Sequence, residues 1–145
     1  MRTKNFLAQV DHDRVVGAIK NAEAKTSGQI RVFIHRGELN EDPVVAAQRQ
    51  FQKLGMHATK ERNGVLVFVA PRARSFAAIG DEGVHQKCGD PFWQALVDRM
   101  RAHFQNENFT GALVEAIDDT GELLAAHFPR GSDDTTALSD EIMED

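Results

Sequence analysis

Apolar residues near the start of the chain fall into a helical rhythm. Asp11 or Asp13 can cap a helix on which Val15, Ile19 and Ala22 share one face. Thr26-Ser27-Gly28 should end it, with glycine as the stop. The rhythm then shortens to two. In QIRVFIHR, Ile30, Val32 and Ile34 alternate with Arg31 and Phe33, which predicts a strand. Asp42-Pro43 opens a second helix, because aspartate accepts the orphan amides and proline suits the first helical position. Val44, Ala47, Phe51 and Leu54 supply its apolar face, and Gly55 closes it.

Beyond Arg62-Asn63-Gly64 the run VLVFVA is continuously apolar, as expected of a central strand covered on both sides. RARSFAAIG predicts a shorter, more polar strand. The link from Ala70 to Arg74 is too short for a helical crossover, so the two should form an antiparallel hairpin. Asp90-Pro91 repeats the aspartate-proline start, followed by Phe92, Trp93, Leu96, Val97, Met100 and Phe104 at helical spacing. A last helix should run from about Phe109 to His127, ended by Phe128-Pro129. The order helix, strand, helix, strand, strand, helix, helix predicts an α/β fold: a small mixed sheet with helices on both faces.

Composition adds bounds. At 145 residues the chain suits one domain, here residues 1–129, with ordinary hydrophobic (41%) and charged (27%) content. No apolar run nears the ~20 residues of a membrane span, and MRTKNFLAQVDHD has no stretch apolar enough for a secretory signal. A single cysteine, Cys88, excludes an internal disulfide and fits a reducing compartment. The expectation is a soluble, cytoplasmic protein.

Charge is unevenly placed. Residues 130–145 hold six acids against Arg130, so the rest is neutral and the net −5 belongs to this end. A neutral body argues against nucleic acid as a partner. The end itself, 130–145, reads as a disordered solubilising tail. An interaction peptide built on Leu138, Ile142 and Met143 is the alternative.

Most catalytic templates fail. Asp11-His12-Asp13 opens a helix instead of ending an apolar strand, so capping accounts for it. Cys88 lacks the arginine six residues on that a cysteine phosphatase uses to clamp phosphate. There is no phosphate loop ending in Lys-Ser or Lys-Thr and no Gly-x-Ser-x-Gly elbow. His85 and Cys88 form a lone pair where zinc wants three or four ligands. What remains is Asp81, Glu82 and Asp90 in one short connection. Hard cations take loop carboxylates, and Gly80 and Gly83 would let carbonyls turn inward. Turn and cap chemistry explains the same residues equally well. Arg62, Arg72 and Arg74 flank the hairpin strands and could hold an anion or form a solvated edge.

The segments AEAKTSGQIRVFI, DPVVAAQRQFQKLGMHATKERNGVLVFVAPRARSFAAIGDEGVHQKCGDPFW and NFTGALVEAIDDTGELLAAHFP together resemble the TPM domain family. That family is named for a thylakoid lumen protein, a photosystem repair protein and a nematode receptor accessory protein. The resemblance runs from about residue 12 to Pro129. Its most specific parts are Thr26-Ser27-Gly28, Arg62-Asn63-Gly64, Gly80-Asp81-Glu82-Gly83 and Phe92-Trp93. It implies a three-layer α/β/α sandwich of Rossmann-like appearance, with loop acids that hold divalent cations such as calcium. Plant members are described as acid phosphatases. Gln29 stands where the family commonly has glutamate, which removes a negative charge, and the chain looks like a short soluble bacterial-type form.

Three functions follow as expectations. The first is a calcium- or magnesium-binding module with an accessory role toward an unidentified protein partner, using Asp81, Glu82 and Asp90. The second is a metal-assisted acid phosphatase acting on phosphomonoesters. The third is a structural domain without an ion. The first is preferred, because the sequence shows no activated nucleophile and few strong ligands for a hydrolase site.

Overall fold

The computed structural model describes residues 1–130 and 141–145. The elements are α1 (Thr3–Ala8), α2 (His12–Glu23), β1 (Gln29–Ile34), α3 (Pro43–Lys53), β2 (Gly64–Ala70), β3 (Ser75–Gly80), α4 (Glu82–Gln105), α5 (Phe109–His127) and β4 (Met143–Glu144). The sheet order is β3-β2-β1-β4. β1 runs parallel to both β2 and β4, and β2 pairs antiparallel with β3, so the sheet is mixed.

Successive side chains of β1 and β2 build two cores. Ile30, Val32, Ile34, Val65, Val67 and Val69 meet α2, α4 and α5 on one face. Phe33, Leu66 and Phe68 meet Ala46, Ala47 and Phe51 of α3 on the other. Alternation across a pleated strand makes these opposite faces, and the result is the expected α/β/α sandwich.

Local chemistry explains most boundaries. Asp11 caps α2 by accepting from the Arg14 amide (3.2 Å), and Asp42 caps α3 by accepting from the Val44 amide (2.8 Å). Gly55 follows α3 at φ +71, the left-handed region that glycine enters freely. The short turn Pro71–Ala73 joins β2 to β3 as the antiparallel hairpin requires. α5 has the expected bounds, and Thr26 Oγ1 donates to the Phe128 carbonyl (2.5 Å) just beyond its end.

Several details differ from expectation. α1 had no sequence signal: it has no capping side chain and is anchored by Phe6. α2 ends at Glu23, well before Gly28. Gly28 is needed for closeness, since a Cβ there would stand 2.9 Å from Leu124 Cδ1 and 3.0 Å from the Asn63 carbonyl. The α3 face is rotated: Ala46 is buried, while Val44 is 44% exposed. β1 is buried along its whole length, because α3 covers its second face. Arg31 is therefore fully buried, donating to Glu23 Oε2 (3.1 Å) and to Gln29 Oε1 (3.2 Å).

The acidic end departs from a disordered tail in its last residues. Met143 pairs with Phe33 and Glu144 with Ile34, extending the sheet by β4. Leu138 lies outside the described residues. Ile142 and Met143 pack against opposite cores, as neighbours on a strand do.

Candidate functional site

β3 passes into α4 through Gly80-Asp81-Glu82-Gly83. The Asp81 side chain caps α4 by accepting from the Glu82 amide (2.8 Å), and its own amide donates to the Gly64 carbonyl (2.9 Å). A Cβ on Gly83 would overlap the carbonyls of Glu61 and Arg62, and one on Gly80 would stand 2.6 Å from Trp93 Cζ2. Both glycines therefore serve close packing.

Arg62 lies across this start at φ +52, a left-handed position. Its Nε donates to Asp81 Oδ2 (2.7 Å), its Nη2 to Asp81 Oδ1 (2.9 Å) and its Nη1 to Glu82 Oε1 (3.3 Å). A bidentate guanidinium–carboxylate pair is strong and directional. The Asp81 hydrogen bond, first of all, holds the Arg62 pKa above its ordinary value. Beside it, Asn63 Nδ2 donates to Ser27 Oγ (3.1 Å), and Ser27 Oγ donates to Glu61 Oε2 (3.0 Å). Thr26-Ser27-Gly28, Arg62-Asn63-Gly64, Gly80 to Gly83 and Trp93 thus converge on one corner of the sheet.

Residues 1–123 match the TPM domain. The chain belongs to the TPM domain family. Its fold is close to the NMR structure of BA42 protein from the psychrophilic bacterium Bizionia argentinensis, with 34% identity, 92% of each chain covered and a TM-score of 0.83. It is also similar to the N-terminal domain of cg2496 protein from Corynebacterium glutamicum, with 17% identity, 88% of this chain and 75% of that chain covered, and a TM-score of 0.60. The latter likeness concerns the fold alone. No curated protein matches the chain.

Within this TPM domain, Asp81 and Glu82 stand together and Asp90 stands apart. The Asp90 side chain is 93% exposed, and its Oδ1 lies 3.3 Å from His85 Nε2. Asp81 caps the first stretch of α4; the helix breaks at Gly89 (φ 68, ψ 179), and a second helical stretch follows at Asp90-Pro91, where the sequence places a start. Among the described residues no group of three or more His, Cys, Asp and Glu side chains forms a cage for a metal. The donor chemistry of Asp81 and Glu82 nonetheless suits a hard cation, and both carboxylates converge on one cationic group, Arg62. In this structure Arg62 occupies both oxygens of Asp81 and one of Glu82.

The three arginines do not form one group. Arg62 precedes β2; Arg72 and Arg74 follow it, about 20 Å away along the strand. Arg72 reaches Glu38 at 3.5 Å. Arg74 lines a cavity of about 550 Å³ with Phe6, Phe76, Phe104 and Arg101. The buried pair Arg31–Glu23 and the clamp of Arg62 on Asp81 both escaped the sequence reading. A burial signal for Arg31 was present in the apolar residues on both sides of it. Gln29 is 5% exposed and its side-chain oxygen accepts from Arg31, so that oxygen is used inside the fold. No helix among the described residues is long and apolar enough to cross a membrane.

Proposed function

We propose that this TPM domain is a non-catalytic binding module in which Asp81 and Glu82 take a calcium or magnesium ion in competition with Arg62, in an accessory role toward a protein partner. The observation that supports this reading is the convergence of both carboxylates on a single guanidinium, since the groups that attract one cation can attract another. Two carboxylates supply few of the six to eight oxygens calcium takes, so water completes the shell and the affinity is weak. Arg62 weakens it further, because the ion must release a bidentate hydrogen-bonded partner. The single thiol, Cys88, suits a reducing compartment such as the cytoplasm. The nearest general base, His85, faces Asp90 instead of the pair, which favours binding over hydrolysis.

Thermal melting with added cation tests this, since an ion that binds only the folded state stabilises it by mass action. At about 10 mM calcium the wild type should rise by about 1–2 °C and Arg62→Gln by about twice that. Asp81→Asn should not respond. Equal, absent responses in wild type and Arg62→Gln would overturn the proposal, as would a full response in Asp81→Asn.

A further inference from the structure

β1 would be the edge of the sheet but for two devices that cover it in halves. Over its first half, the Ile30 amide donates to Glu23 Oε2 (2.8 Å), and Arg31 Nη1 donates to the Ile30 carbonyl (2.5 Å). Side chains there satisfy the backbone, so no strand can add. Over its second half, Phe33 and Ile34 pair with Met143 and Glu144.

The second half is shaped for a particular sequence. Ile142 packs against the core under α2 and α5, and Met143 against the core under α3. Glu144 Oε1 lies 2.5 Å from Arg36 Nη2. Asp145 Oδ2 lies 2.5 Å from His35 Nδ1, and its Oδ1 accepts from the Arg36 amide (2.8 Å). Glu141 reaches His12 at 2.9 Å. The slot reads two apolar residues, one for each face, and then two acids. It combines a main-chain ladder with alternating side-chain pockets, which is how sheet edges recognise extended peptides.

The resident segment is held by two residues of ladder, by Ile142 and Met143 against the two cores and by ion pairs to His12, His35 and Arg36, each a small contribution that a matching segment could replace. Ten residues, 131–140, join it to Arg130, and they can span up to about 35 Å. We propose that the outer edge of β1 from Phe33 to Arg36 is a docking site for an extended segment of a protein partner that carries two apolar residues followed by two acids. Residues 142–145 are its tethered competitor. Because the resident segment belongs to the same chain, it competes with a partner intramolecularly and masks the slot without closing it.

A fluorescein-labelled peptide with the sequence of residues 139–145 (SDEIMED) probes the slot by anisotropy on the full chain. Met143→Pro removes a ladder donor from the resident segment and should bind the peptide at least about tenfold more tightly than the wild type. Glu144→Lys, which leaves the ladder intact and repels Arg36, should do the same. Adding Arg36→Glu to either variant should abolish binding, and a peptide with lysines at the two last positions should not bind. Equal affinity for wild type and both variants, or binding indifferent to Arg36→Glu, would overturn the proposal. So would a concentration-dependent dimer of the wild type by light scattering that both variants lose, because the occupant would then be a second copy of this chain.

Discussion

Cys88 is half-buried, and burial, more than any other cause, pushes its thiol pKa up; the nearby Asp90 charge adds to the rise. The thiolate is the reactive species, so at pH 8 a raised pKa leaves less of it than in a free cysteine. Iodoacetamide should therefore label Cys88 more slowly than free cysteine, with a rate still climbing above pH 9, and Asp90→Asn should quicken it. Labelling at the free-thiol rate would contradict this. The residue scale is also where sequence reading reached least far. Asp81 was legible as an acid at a strand end, because Gly-Asp-Glu-Gly is local. Its partner Arg62 stands 19 positions earlier and meets it only through the β2–β3 hairpin. No spacing rule links the two. Asp90, by contrast, carries a local start signal before Pro91, and a helical stretch does begin there after the break at Gly89.

Among the elements, α4 is the most instructive. It runs from Glu82 to Gln105 with Gly89 at φ 68 and ψ 179 inside it, a conformation open essentially to glycine alone. Pro91 lacks an amide hydrogen and would clash with the carbonyl of residue 87 in a straight helix. The extended Gly89 relieves that clash and lets the helix resume. The aspartate-proline signal marks the start of the second stretch; the first, residues 82–88, is capped by Asp81 and is too short to carry an apolar period. Gly89→Ala should cost about 1–3 kcal/mol, read as a lower urea midpoint at unchanged slope. An unchanged midpoint would mean that the kink tolerates a Cβ. Elements with strong periodicity and a clear stop, such as α5 and the β2–β3 hairpin, were legible nearly to the residue. α1 and β4 were not, because each is too short to carry a period and owes its place to tertiary contacts of Phe6, Ile142 and Met143.

At the scale of the whole molecule, the two faces of the sheet are unequally covered. One carries α2, α4 and α5 with their large apolar side chains: Ile19, Leu96, Met100, Leu113, Ile117 and Leu124. The other is covered mainly by α3, whose buried residues are two alanines and Phe51, with Val44 and Val45 left 44% and 49% exposed. Burial contributes ~25 cal/mol per Å² of apolar surface, so two alanines and one phenylalanine hold α3 far less firmly than the leucine-rich contacts hold α5. Local opening follows the least buried unit. Native-state hydrogen exchange should therefore show α3 amides opening at a free energy below that of global unfolding. Amides from Leu113 to Leu124 should exchange only with global unfolding. Phe51→Ala should lower α3 protection more than it lowers that of α5, whereas Leu113→Ala should lower both together by destabilising the shared core. Protection of α3 equal to that of α5 would mean that the sandwich opens as one unit, and that Phe33, Leu66 and Phe68 of the sheet bind α3 more tightly than its small side chains imply.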